Sequence, residues 1–218
     1  MVTNRNIDAV MRALRREVRR WDDPVVAKIA REQSAYRVLI GCLLSLRTKD
    51  ETTAAASKRL FALARTPEAM VSLGLRTIEK AIYPVSFYRT KAAVVRGVSK
   101  TILAEHDGRG PDTIDDLLKL KGVGRKTANL VVTEGFGKAG ICVDVHVHRI
   151  TNRWGYVKTR NPDETEAALR AKLPKKHWIA INGILVSYGQ NLCRPVSPRC
   201  SICKVRAACA RLGVDRSR

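Results

Sequence analysis

Four cysteines, Cys193, Cys200, Cys203 and Cys209, crowd residues 193–209 with the spacing C-x6-C-x2-C-x5-C. Four soft ligands in one short loop can close a metal site, and ligand chemistry alone leaves zinc and an iron–sulfur cluster both open. Disulfides are the competing use, and an intracellular chain disfavours them. The other two cysteines, Cys42 and Cys142, lie in apolar runs and read as buried, inert thiols.

A second constellation is Leu120-Lys121-Gly122-Val123-Gly124-Arg125-Lys126-Thr127-Ala128, which joins two helical segments. Two glycines flanking one apolar residue permit a tight turn with positive φ, and their missing side chains let backbone N–H groups approach a ligand closely. The helix that follows adds its own free N–H groups and the positive end of its dipole. Such a corner suits one phosphate of a DNA backbone, held without reading base sequence. An ordinary helix–turn–helix corner is the alternative, and it needs only one glycine. Lys126 can act as a nucleophile only as the neutral amine, against a reference pKa of about 10.4. The helix dipole, Arg125 and partial burial all press toward the neutral form, which makes Lys126 a candidate Schiff-base nucleophile. On these grounds alone, a lysine that merely contacts DNA remains the alternative.

The charge balance points the same way. Lys and Arg number 41 against 20 Asp and Glu, a formal charge of +21 that is interleaved with apolar residues throughout. A field of that size steers polyanions in from a distance, so nucleic acid is the expected partner and its affinity should fall steeply with salt. At 218 residues and 45% hydrophobic, the chain can bury a real core as one large domain or two small ones, which excludes global disorder. It has no apolar run long enough to span a membrane. The N-terminus lacks an apolar signal core. Ile7, Val10, Met11, Leu14 and Val18 share one helical face, with Arg12, Arg16, Arg19 and Arg20 largely off it. With Asp8 and Glu17 present, this reads as a structural helix rather than a transit peptide, and the expected address is the cytoplasm of a bacterium or archaeon.

The elements that must position these residues read as helical nearly throughout. Ala35, Val38, Leu39, Cys42, Leu43 and Leu46 follow the helical repeat and are apolar enough for a central helix. Asp50 is expected as the N-cap of a helix to about Arg65. Pro67 opens a short helix that Gly74 is expected to end. Residues 87–104 are amphipathic and close on a turn-rich stretch at 106–111. Residues 113–120 form a short helix with Asp115 and Asp116 in its first turn, and 125–134 and 163–172 are also helical. One segment conflicts: Ile141, Val143, Val145 and Val147 alternate with Cys142, Asp144, His146 and His148, the period of a strand. No partner strand is evident, and a lone strand leaves its backbone unsatisfied. Asp144 is therefore expected to cap a helix over 145–154.

The glycine hairpin resembles the helix–hairpin–helix motif of the endonuclease III family of DNA glycosylases, in which Lys126 matches the nucleophilic lysine. Val143-Asp144-Val145-His146 resembles the family's aspartate motif and matches Asp144 to its catalytic carboxylate. Ile82-Tyr83-Pro84-Val85 and Ile181-Asn182-Gly183 are similar too, and the cysteine spacing matches the family's [4Fe-4S] loop. The resemblance runs from about Arg31 to Cys209 and is nearest the thymine-glycol type. It implies an all-α, two-lobed fold: a helical bundle over 28–138, with the hairpin at about 113–134, and a second lobe of 1–27 and 139–218 with the cluster loop. It implies a monomer that acts on double-stranded DNA containing damaged bases or abasic sites, lying across the cleft between lobes. Lys126 would displace an oxidised pyrimidine, form an imine and nick 3′ to the site by β-elimination, with Asp144 ionised beside it. The cluster would pin a loop whose Arg194, Arg199, Lys204 and Arg206 meet phosphates. Lys121, Gly122, Val123, Gly124, Arg125 and His146 complete the contacts that the resemblance implies.

Three positions depart from the family. Lys121 stands where the hairpin often has proline, which loosens the turn but adds a cation. Val145 replaces a common threonine. Arg47 stands where relatives often place glutamine, at the position that fills the gap left by a flipped base. Arginine can fill that gap by stacking or hydrogen bonding, and opposite-base preference stays open. Phe87 reads equally as a wedge between bases and as a core aromatic. A monofunctional mismatch glycosylase is one rival reading, and Lys126 argues against it. A non-catalytic iron–sulfur DNA-binding protein is the other, and it leaves Lys126 and Asp144 together unexplained.

Overall fold

Every regular element in the computed structural model, which describes residues 1–21 and 34–218, is a helix or a helical turn; no strand forms among the described residues. The chain divides into two units, one of Met1–Pro24 with Ala139–Arg218, the other of Val25–Lys138. The sequence-expected lobe boundary at 27/28, and the start of the family likeness at Arg31, lie outside the described residues. None of the described helices is long and apolar enough to cross a membrane.

Helix α1 (Ile7–Val18) opens the first unit and buries Ile7, Val10, Met11 and Leu14, leaving its arginines exposed. The second unit is built around α2 (Ala35–Ser45), whose residues 38–44 are all buried, so it is the central helix that its composition predicts. Around it lie α3 (Asp50–Leu63), α4 (Pro67–Ser72), α5 (Leu75–Ile82), α6 (Tyr88–Glu105), α7 (Ile114–Lys119) and α8 (Arg125–Leu130). Helix α8 runs on into a π turn over Val131–Gly135. A β-carbon at Gly135 would lie 2.9 Å from the Cα of Ala35, so this glycine is what lets the π turn close against α2.

Three expectations are corrected here. Asp50 is the first helical residue rather than the cap: Lys49 holds the cap position, and Asp50 and Glu51 face the helix dipole from the first turn. Gly74 does not end α4, which stops at Ser72; with φ −63° it caps the start of α5, a short helix that buries Ile78, Ala81 and Ile82. Leu46 falls just beyond α2 and is exposed instead of lining the core.

The rest of the first unit comprises α9 (Val145–Arg153), α10 (Pro162–Lys172) and α11 (Trp178–Asn191). Helix α11 is apolar on nearly all sides and correspondingly buried, and its core partners include Met11, Val147, Ile150 and Trp154. The segment that alternates like a strand is extended only up to Asp144. Its residues 141–144 are all buried, and the helix begins at Val145, as the capping alternative requires.

Candidate active site

The hairpin is set up by α7, where the Thr113 hydroxyl accepts from the Asp116 backbone N–H at 3.2 Å. The chain then reverses with the Val123 N–H donating to the Leu120 carbonyl, and Val123 is buried as a plug under the turn. The two glycines serve different ends. Gly122 takes φ +81°, and a β-carbon there would also press on Val94 at 3.2 Å. Gly124 has φ −102°, open to any residue, and a β-carbon there would meet nothing within 4 Å. The protein's own packing therefore does not require Gly124, and the backbone there is open to close approach. Lys121, Arg125 and Lys126 are all exposed around it. Lys126, expected to be partly buried, is exposed. Its charge does reach the buried thiol of Cys42 on α2, which burial pushes up to about 12 against the pull of Lys126.

Asp144 belongs to the other unit and is buried. Its Oδ1 accepts from the N–H groups of His146 and Val147, both at 2.9 Å, which caps α9 and commits only one of the two carboxylate oxygens. His146 packs on α11 at Gly189, where a β-carbon would lie 2.3 Å from its Nδ1. Arg149 joins the two helices, with Nη2 3.1 Å from His146 Nδ1 and donating to the Cys193 carbonyl at 2.9 Å. Burial lowers its guanidinium from the ordinary arginine value. Asn182 donates to the Cys142 carbonyl at 3.2 Å and so holds the strand-like approach to Asp144.

Phe87 is 61% exposed, which removes the core-aromatic reading. It and Arg47 both adopt left-handed backbone, with φ of 58° and 55°, and the Arg47 guanidinium sits 5.2 Å from the Phe87 ring centroid. Non-glycine residues seldom take this conformation. Beneath them lies Lys91, a nearly buried lysine that composition and periodicity do not single out.

Cys193, Cys200, Cys203 and Cys209 line one pocket together with Trp154, Tyr188 and Leu192, and all four are free thiols. Tyr188 Oη lies 3.1 Å from Cys203 Sγ, and Arg153 Nη1 lies 3.5 Å from Cys193 Sγ. Both are donors suited to ionised sulfur. Burial raises the Cys193 and Cys209 thiols, and Arg153 and Arg149 pull Cys193 back. Among the described residues no three ligand side chains close on a single ion position. Four cysteine sulfurs lining one pocket, with two hydrogen-bond donors at hand, are a donor set suited to a thiolate-held metal centre. Arg194, Arg199, Lys204 and Arg206 are exposed on this loop. Arg153 is a second residue that sequence reading missed. It is buried, and its fork donates to the carbonyls of Arg194 at 2.7 Å and Pro195 at 2.6 Å.

Residues 40–175 match the HhH-GPD superfamily of base excision DNA repair proteins. The endonuclease III of Thermotoga maritima is 45% identical over 179 residues, covering 82% of this chain and 84% of that one. The chain belongs to this superfamily. Its fold overlays a non-covalent endonuclease III–DNA complex with a TM-score of 0.84, at 29% identity and 97% of both chains. A trapped endonuclease III–DNA covalent intermediate matches with a TM-score of 0.79, at the same identity and coverage. The activity is accordingly that of a base excision DNA glycosylase/AP lyase of the endonuclease III type.

Proposed function

We propose that Lys126 is the nucleophile of this glycosylase and that the chain removes oxidised pyrimidines from double-stranded DNA, then nicks 3′ to the resulting site. One observation carries the assignment: Lys126 stands exposed in the first helical turn after Gly124, at a corner open to a close-lying ligand. The damaged nucleotide leaves the stack. The amine of Lys126 attacks the anomeric carbon as the base departs with the bonding pair and gains a proton. Loss of a proton from nitrogen and opening of the sugar give an imine. Removal of a C2′ proton then expels the 3′ phosphate, and water releases the lysine. The Asp144 side chain offsets cationic character on the sugar and handles the lysine's proton while it caps α9. A relative solved as a covalent DNA intermediate supports this course.

Cys193, Cys200, Cys203 and Cys209 would hold a [4Fe-4S] cluster, whose contribution when bound is to pin the loop that carries Arg194, Arg199 and Lys204. DNA contacts come from 121–125 of the hairpin, from Arg47 and Phe87, and from His146. The protein acts as a monomer in the cytoplasm of a bacterium or archaeon. Borohydride reduction in the presence of abasic-site duplex tests the reading. Wild type should become covalently attached to DNA and Lys126→Ala should not. A wild type that leaves no adduct contradicts it.

A further inference from the structure

We propose that Lys91 is a positioning residue for this reaction: it clamps the α2–α3 loop (46–49) so that Arg47 is held beside Phe87, ready to enter the gap left by a flipped nucleotide. The inference rests on the reading of Arg47 and Phe87 as DNA contacts.

Helix α2 ends at Ser45, and the last carbonyls of a helix have no partner within it. The Lys91 ammonium donates to two carbonyls at this end, Leu44 at 2.7 Å and Leu46 at 2.5 Å, and to the Thr48 hydroxyl at 3.2 Å. Three acceptors match its three protons, and a cation at a helix C-terminus is favoured by the dipole. The residue is only 9% exposed, so this is not a surface lysine that happens to lie nearby. Burial lowers its pKa to about 8, a cost that the fold accepts to keep the group here.

The Thr48 hydroxyl also accepts from the Ser86 N–H at 3.2 Å, and the Lys91 N–H donates to the Phe87 carbonyl at 2.9 Å. Arg47 is thus tied on both sides, through Leu46 and Thr48, and Phe87 is tied through Ser86 before it and its own carbonyl. Left-handed backbone is unfavourable at a non-glycine residue and persists only where its surroundings over-determine it. Lys91 supplies that constraint to both residues without itself reaching the DNA.

The test uses the full-length protein and a duplex carrying an abasic-site analogue opposite 2-aminopurine, whose fluorescence reports contact with the orphaned base. Arg47→Ala and Lys91→Met should each abolish the fluorescence change and weaken binding to this duplex about tenfold more than binding to undamaged duplex. The double variant should be no worse than either single one, because the second change removes an interaction already lost. Thr48→Val, which leaves the buried ammonium on its two carbonyls, should give a loss in the same direction of about threefold, and it decides the matter if Lys91→Met does not fold. Effective Arg47→Ala beside silent Lys91→Met or Thr48→Val overturns the inference alone, as does additivity in the double variant. Silent Arg47→Ala overturns the reading of the loop and the inference with it.

Discussion

In each unit a buried cation holds an irregular loop by its carbonyl oxygens, but the two do so differently. Lys91 gathers two carbonyls and a hydroxyl around one point, beneath a loop with an exposed arginine at its apex. Arg153 spreads its fork over the successive carbonyls of Arg194 and Pro195 and reaches a cysteine sulfur as well. The first loop has to present a side chain; the second has to present four thiols to one pocket. In both, a basic residue on a neighbouring helix ties down carbonyls of the loop. A buried charge of this kind is retained because removing it strands the carbonyls it serves.

The comparison can be broken at the residues each unit brings to the chemistry. The largest effect is expected at Asp144. Asparagine caps a helix as well as aspartate does but carries no charge, so Asp144→Asn should keep the melting temperature while single-turnover base removal falls by about 10²–10⁴-fold. Asp144→Ala should lose a similar rate and also about 1 kcal/mol of stability. A full-rate Asp144→Asn would reduce the aspartate to a cap.

Next comes Arg153→Met, which leaves the Arg194 and Pro195 carbonyls without their donor. Each stranded group costs roughly 1–3 kcal/mol, so urea denaturation should show a loss of about 3 kcal/mol, and iron content per chain should fall with it. Unchanged stability and metal content would mean that the cysteine loop holds itself.

Gly124→Ser tests the hairpin in the opposite sense. Serine suits the extended backbone at this cap position, and the space beside it is open. Thermal stability should stay the same or rise slightly while affinity for undamaged duplex, measured by anisotropy, falls about tenfold. Unchanged binding would remove the case for a closely approaching ligand.

The smallest effect concerns Asp8, which is held below the usual carboxylate value first by its hydrogen bond to Lys176, then by that to His177. Its folded-state value is lowered, so its contribution is complete above about pH 4 and disappears as pH falls through the lower folded value. Asp8→Asn should melt slightly below wild type at neutral pH, and the gap should close in acid. A gap that persists at low pH would assign the effect to packing.

These residues also show how far the sequence could be read. The α1 face, the central α2 and the cap at Asp144 were legible because apolar period and cap chemistry are local signals. Gly74 misled because a glycine beside two short helices can belong to either, and only its φ decides. Phe87 could not be placed because its exposure follows from a left-handed backbone that Lys91 and Ser86 stabilise from a distance. Lys91 and Arg153 themselves were invisible: a single basic residue in a helix reads as solvated surface until tertiary packing buries it. The exposure of Lys126, where partial burial was expected, was likewise a matter of tertiary structure.

The central claim is that Lys126 bonds to the sugar, and peptide mapping of the borohydride-trapped adduct tests it most directly. Mass spectrometry of the digested complex should place the deoxyribose remnant on Lys126. A remnant on another lysine or on the N-terminal amine would contradict the account.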